Sequence, residues 1–205
     1  MISRRSFLTA AAASAGTALA APALASTYII PDDHKPARVR LQSYVGAGEI
    51  VVAPSSFCLY WGLGGGEAIR YRVGIGSPEL YRAGTFTVGR KVEWPRWTPT
   101  ANMIRREPDK YRQYAGGMPG GPLNPLGSRA LYLYDGSRDT MMRIHGTPEP
   151  WTITRATSSG CVRMINAYML DLFARTPMGT TVRLLPKMPP KACYEIGCLE
   201  EMMGQ

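Results

Sequence analysis

The chain has 205 residues, 45% of them apolar and 19% charged, with a formal net charge of +9. That length and balance suit one globular domain with a well-buried core, and no segment approaches the eighteen consecutive apolar residues of a membrane-spanning helix. Arginines are spread through every segment without a long basic run, so a generally basic surface and an anion-binding groove both stay open, while a nucleic-acid partner is not indicated.

Residues 1–25 have the three parts of an export signal: a basic start, an Ala-rich apolar stretch and a small-residue cleavage site at Ala23 to Ala25. Adjacent Arg4 and Arg5, followed by Phe7 and Leu8, resemble a bacterial twin-arginine signal. The twin-arginine translocase and signal peptidase are therefore expected partners during export, with cleavage near Ala25 and a soluble mature protein in the periplasm. Removal of Arg4 and Arg5 lowers the net charge to +7, which suits the polyanions an exported protein meets, cell wall and lipid headgroups among them.

Residues 26–48 are polar and Pro-interrupted, and read as a linker or arm on the domain surface; they include His34. From Glu49 the pattern changes to short extended segments. "EIVVA" and "FCLYW" come first; in "AIRYRVGIG", Ile69, Tyr71, Val73 and Ile75 then alternate with Arg70, Arg72 and Gly74. This period of two, with glycines between segments, predicts strands and hairpins, and "GTFTVGRKVEW", "ALYLYDG", "TMMRIHG" and "TTVRLL" continue it. Between Trp94 and Ser128 six prolines and the aromatics Trp94, Trp97, Tyr111 and Tyr114 predict a long ordered flap over a site. One helix is expected over "AYMLDLFAR", capped by Asn166 and ended by Pro177 and Gly179. Residues 187–205 read as a Pro-rich tail in which Cys193 and Cys198 are close enough to pair, as export permits. Cys58, in an apolar stretch, reads as a buried small hydrophobe.

The chemistry concentrates in "IHGTPEPWTITRATSSGCVRM", residues 144–164. A thiolate is the nucleophile of cysteine chemistry, and an imidazole generates it by taking the proton. Spacing alone leaves a structural Cys161 and an unrelated His145 equally open. Three local features favour the pair. His145 ends a strand-like segment, with Gly146 letting a backbone carbonyl orient the ring; Gly160 precedes the thiol, so the Gly160 and Cys161 amides are available to an oxyanion; and the predicted helix starts shortly after, where its N-terminus would lower the thiol pKa. Chain order removes other enzyme classes. The chain's two histidines both precede Cys161, unlike in papain-type enzymes; S-x-x-K is absent; and a zinc peptidase needs more imidazoles.

The segments "VGIG", "GTFTVGRK", "PRWTP", "NPLGSRALYL", "IHGT", "SSGCVRM" and "GTTVRLL" occur in an order that resembles the L,D-transpeptidases, whose catalytic module is the YkuD domain. The resemblance runs over residues 49–186. It implies a mainly β, sandwich-like fold with one short helix after the cysteine and a long flap. It further implies Cys161 as nucleophile, His145 as base, the Gly146 carbonyl as the orienting third member, and Arg163 with Ser158, Ser159 and Gly160 near the substrate. Many members carry His where this chain has Ser159, which puts a second imidazole in doubt but not the chemistry. The implied substrate is the peptidoglycan stem peptide: Cys161 attacks a tetrapeptide at its third residue, D-alanine leaves, and an amine of a second stem resolves the thioester to a 3–3 crosslink. No metal or organic cofactor is implied; sensitivity to carbapenems is. Water as acceptor would give an L,D-carboxypeptidase, and an amine of an outer-membrane protein would give a wall-anchoring enzyme. A wall-binding module with a dead thiol is the rival from outside catalysis.

Overall fold

The computed structural model describes residues 28–42 and 45–186. The expected signal segment, its cleavage site and the Cys193–Cys198 pairing lie outside these residues. Among the described residues no helix is long and apolar enough to cross a membrane.

The fold is mainly β. A nine-stranded sheet has the order β1-β4-β3-β2-β11-β6-β7-β8-β10. One half is built from β1 (Ala37–Arg40), β2 (Ile50–Ala53), β3 (Cys58–Gly64) and β4 (Glu67–Arg72), all paired antiparallel. The other is the meander β6 (Gly84–Glu93), β7 (Arg129–Asp135) and β8 (Arg138–Thr147), to which β10 (Val162–Ile165) adds in parallel. The last strand, β11 (Thr181–Leu184), joins the halves, parallel to β2 and antiparallel to β6. β5 (Ile75–Gly76) and β9 (Ala156–Ser158) form a separate parallel pair.

Both halves feed one core. Ile50, Leu59, Tyr71, Val88, Leu133, Ile144, Met164 and Val182 belong to a single buried cluster, so the sheet closes over it in the sandwich-like manner expected. Burying these side chains is the main driving force for that closure. The alternation in the sequence marks the core face: Tyr71, Val73 and Ile75 are fully or almost fully buried. Cys58 is buried in a second cluster with Val51, Tyr60 and Ala68, as a small apolar side chain should be.

The expected helix is α3 (Asn166–Arg175), which places Met169 and Leu172 in the core. Its C-terminal carbonyls are satisfied from outside: Lys91 Nζ donates to the carbonyls of Phe173 at 2.6 Å and Thr176 at 2.5 Å. Asn166 is not its cap. Ile165 occupies that position, and Asn166 is the first helical residue, with its side chain turned across to neighbouring loops. The arm expected over residues 26–48 is also corrected in part, because Ala37–Arg40 pairs with β4 as an edge strand. Its alternating Val39 packs under the second cluster, while Arg38 reaches Glu67 at 2.6 Å.

The Pro-rich segment is ordered rather than irregular throughout. It contains α1 (Ala101–Arg106), capped by Thr100, and α2 (Pro108–Tyr111), with Pro108 at its first position. Trp97 is the centre of its small core, packed edge-on against Tyr111 and Tyr114 at centroid distances of 6.1 and 5.7 Å.

Candidate active site

The register of β8 against β10 brings the two halves of the motif together. His145 lies directly opposite Arg163, and Ile144 opposite Val162. Continuing that register by one residue sets Cys161 beside Arg143. Side chains alternate between sheet faces, so Arg143 and His145 share one face of β8 while Met142 and Ile144 enter the core. Cys161 and Arg163 share the same outer face. His145 and Cys161, sixteen positions apart in the chain, are thus carried on adjacent chain segments of one sheet face.

The turn into Cys161 depends on glycine. Gly160 has φ +119°, a conformation L-residues rarely adopt, and it lies against β5: a Cβ on Gly76 would come within 2.8 Å of Gly160 Cα. Ser158 is buried, accepts from the Gly160 amide at 3.2 Å and donates to the Cys161 carbonyl at 2.6 Å. Its hydroxyl is therefore committed to shaping the turn rather than free for a ligand. Of the two amides considered for an oxyanion, Gly160's is engaged by Ser158. Ser159 is exposed and accepts from Arg106 Nη2 of α1 at 3.1 Å, linking flap and turn.

His145 is buried, and its Nδ1 is 2.6 Å from the Gly146 carbonyl oxygen. A carbonyl only accepts, so Nδ1 carries the proton and Nε2 is left as an acceptor. Burial, reinforced by the positive charges of Arg163 and Arg143, pulls the imidazole down to about 4 against the opposing pull of the Gly146 carbonyl. It is neutral near pH 7. Asn166 braces the backbone on either side of that carbonyl's segment: Oδ1 accepts from Ser128 N–H at 3.0 Å, and Nδ2 donates to the carbonyl of Thr147, the residue after Gly146, at 3.0 Å. A Cβ on Gly146 would run into Asn166 Oδ1, which explains the glycine.

Cys161 is partly buried and carries a free thiol. Desolvation raises its pKa; the Arg143 backbone N–H and the charges of Arg143 and Arg163 oppose the rise. The helix expected to lower it stands too far away, because strand β10 separates Cys161 from the start of α3. The site at rest thus holds a thiol and, on the adjacent strand, a neutral imidazole whose Nε2 is left as an acceptor.

Residues not singled out in the sequence complete the floor. β8 bulges against β7 between Arg143 and Asp139, with Met141 in the left-handed region at φ 63°. Its carbonyl faces Cys161 Sγ at 3.9 Å. The bulge is locked by Arg143, which bonds both oxygens of Asp139 at 2.7 and 2.9 Å and lies 3.8 Å over the Tyr132 ring. Asp139 is held below the ordinary carboxylate range by these bonds and the Met141 amide, against the opposing effect of burial. Only the bulge makes this visible, and a bulge leaves no mark in a hydrophobic pattern. Arg163 is fastened by its backbone to Gly74 at 2.8 and 2.9 Å, and its Nη1 is 3.6 Å from Glu149.

These groups open onto a cleft of about 770 Å³ bounded on its other side by flap residues, Trp97 and Tyr111 among them. Among the described residues no group of His, Cys, Asp and Glu side chains is arranged to hold a metal ion.

The sequence matches the family model of the YkuD L,D-transpeptidase catalytic domain over residues 47–184. A Fuscovulum blasticum protein, named as an L,D-transpeptidase in the ATP synthase subunits region, is 32% identical over 85% of this chain and 92% of its own. The Escherichia coli protein named as L,D-transpeptidase YbiS is 32% identical over 78% of this chain and 51% of its own. Among solved structures, a Brucella melitensis chain named as a carnitine operon oxidoreductase is 45% identical, covers 74% of this chain and 93% of its own, and superposes with a TM-score of 0.52.

Proposed function

Since the chain belongs to the YkuD family of L,D-transpeptidases, we propose that it is an exported periplasmic cysteine acyltransferase that forms 3–3 crosslinks between peptidoglycan stem peptides. The observation that carries this reading is the neutral His145, with Nδ1 fixed on the Gly146 carbonyl, on the strand beside the free Cys161 thiol. The oxidoreductase name of the Brucella melitensis chain is not carried over, because the groups gathered at Cys161 are those of acyl transfer.

In the proposed reaction the Cys161 sulfur bonds to the carbonyl carbon of the third residue of a tetrapeptide stem, and His145 Nε2 takes the thiol proton. The oxyanion develops toward the Cys161 amide. Collapse breaks the peptide bond; the departing D-alanine amine takes the proton from His145, leaving a thioester. An amine of a second stem then attacks that thioester, giving its proton to His145, and the Cys161 sulfur leaves and regains it. The product is an amide and the thiol is restored. The flap over the cleft favours an amine acceptor by keeping water from the thioester. Two acceptor alternatives, water and an outer-membrane protein amine, use the same acyl-enzyme.

Incubation of purified mature protein with wall material, followed by digestion and mass analysis, separates these outcomes. The proposal requires 3–3 dimers; tripeptides alone indicate a carboxypeptidase, protein-linked tripeptides an anchoring enzyme, and unaltered muropeptides a binder.

A further inference from the structure

The cleft is lined by six cationic side chains, Arg82, Arg90, Arg96, Lys110, Arg143 and Arg163, against two carboxylates, Asp139 and Glu149. Both carboxylates are taken: Asp139 by Arg143 in a two-bond pair, and Glu149 by Arg163. The surplus falls on residues that do not differ only by position. Arg96 lies in the flap and donates to the Gly116 carbonyl, and Arg82 precedes β6 in a loop. Arg90 stands on the sheet itself.

Its place there is fixed by register. Arg90 pairs with Tyr132, Tyr132 pairs with Arg143, and the β8–β10 register continues that row to Cys161. Four adjacent chain segments thus carry Arg90, Tyr132, Arg143 and Cys161 in one line across the floor of the cleft. Gly89 makes the line possible, since its lack of a side chain accommodates the Tyr134 ring at the point where β6 shifts register against β7. The Arg90 guanidinium lies over the Tyr132 ring, 5.2 Å from its centroid, while the residue stays exposed to the cleft. It feels the charge of Asp139, but both oxygens of that group are bonded to Arg143. A planar fork, positioned by an aromatic face and left with its donors toward an open cleft, suits a carboxylate.

We propose that Arg90 is a specificity residue that binds a free carboxylate of the donor peptide, so that the enzyme selects acidic stem peptides over amidated ones. The proposal rests on the transpeptidase reading above. Neighbouring strands are about 4.8 Å apart, so a guanidinium leaning over Tyr132 sits on the order of 10 Å from the Cys161 column, a span of about three residues of extended peptide. The carboxylate it binds therefore belongs to the donor itself, upstream of the scissile carbonyl, and not to the departing residue.

The test uses the mature enzyme and two synthetic tetrapeptide stems, one with its carboxylates free and one with every carboxylate upstream of the leaving D-alanine converted to a primary amide. Cys161 acylation is followed by mass. The wild type is expected to prefer the acidic donor by about tenfold or more in kcat/KM, the scale of one charge-assisted pair. In Arg90→Gln that preference collapses toward one, with the change carried by KM, and Arg90→Lys retains part of it. Equal use of both donors by the wild type overturns the proposal, as does an Arg90→Gln variant of unchanged melting temperature that keeps the wild-type preference. If neither donor acylates Cys161 although a thiol reagent reaches it, the transpeptidase reading fails and the proposal with it.

Discussion

His145 Nδ1 lies 2.6 Å from the carbonyl oxygen of Gly146, the next residue in the chain, and this contact fixes the imidazole tautomer. Nε2 is the acceptor as a result, and burial keeps it neutral well below the usual histidine range. Below about 4 the ring is protonated and unable to accept the thiol proton. The acid limb of the pH profile for Cys161 acylation is therefore expected at about 4 rather than near 6.5, the ordinary value. A limb at or above 6.5 would show that a solvated imidazole, or another group, governs the step.

The same shift couples to stability. Between the unfolded value of 6.5 and the folded value of about 4, the unfolded chain binds a proton at this site that the folded chain does not. Falling pH through that window therefore destabilises the fold, by up to about 3 kcal/mol at its lower end, and the contribution vanishes above 6.5 where both states are neutral. Denaturant titrations of wild type and His145→Gln between pH 7 and 4 check this. The variant should lose less stability over that range; parallel curves would show that His145 does not carry this pH dependence.

Asn166 ties the Ser128 amide to the Thr147 carbonyl and packs on Gly146. Asn166→Ala leaves both backbone groups without this partner and is expected to cost about 1–3 kcal/mol. Gly146→Ala should also destabilise, because its Cβ meets Asn166 Oδ1, but less so when Asn166 is already Ala. Strict additivity in the double variant would mean the two residues do not share this contact.

Trp97 holds the flap through Tyr111 and Tyr114. Trp97→Ala should loosen the flap and admit water to the thioester, raising the ratio of hydrolysed tripeptide to crosslinked product. Product ratios by mass spectrometry, alongside a thermal melt, decide it: an unchanged ratio in a folded variant would show that the flap does not exclude water.

β2 to β8 and β11 were legible as short apolar or alternating runs: burial alternates at Phe86 and Val88 of β6 and is nearly continuous in the central strands β2, β3 and β7. The short β9 and β10 were not, because the motif around Cys161 stands out by its chemistry and carries no period of its own. β1 was not, since a four-residue edge strand beside prolines carries little periodicity. Cys161 and His145 were singled out from chemistry, chain order and the family resemblance, and the β8–β10 register is what carries them on adjacent segments of one sheet face. Asp139, Met141 and Arg143 escaped notice because their arrangement depends on a bulge, which only tertiary pairing reveals. The expected helix-dipole effect on the thiol failed for a related reason. Sequence distance from Cys161 to Asn166 is short, but extended strand covers about 3.3 Å per residue and carries the helix end away.

On the proposed function, Cys161, served by His145, forms an acyl-enzyme from a tetrapeptide stem. Mature protein incubated with that donor alone should release D-alanine and add a tripeptide acyl mass to the tryptic peptide containing Cys161. Cys161→Ala should abolish the adduct, and His145→Ala should slow its formation by about two orders of magnitude or more. An adduct on Cys58 in place of Cys161, or acylation of Cys161 at the full rate without His145, would contradict it.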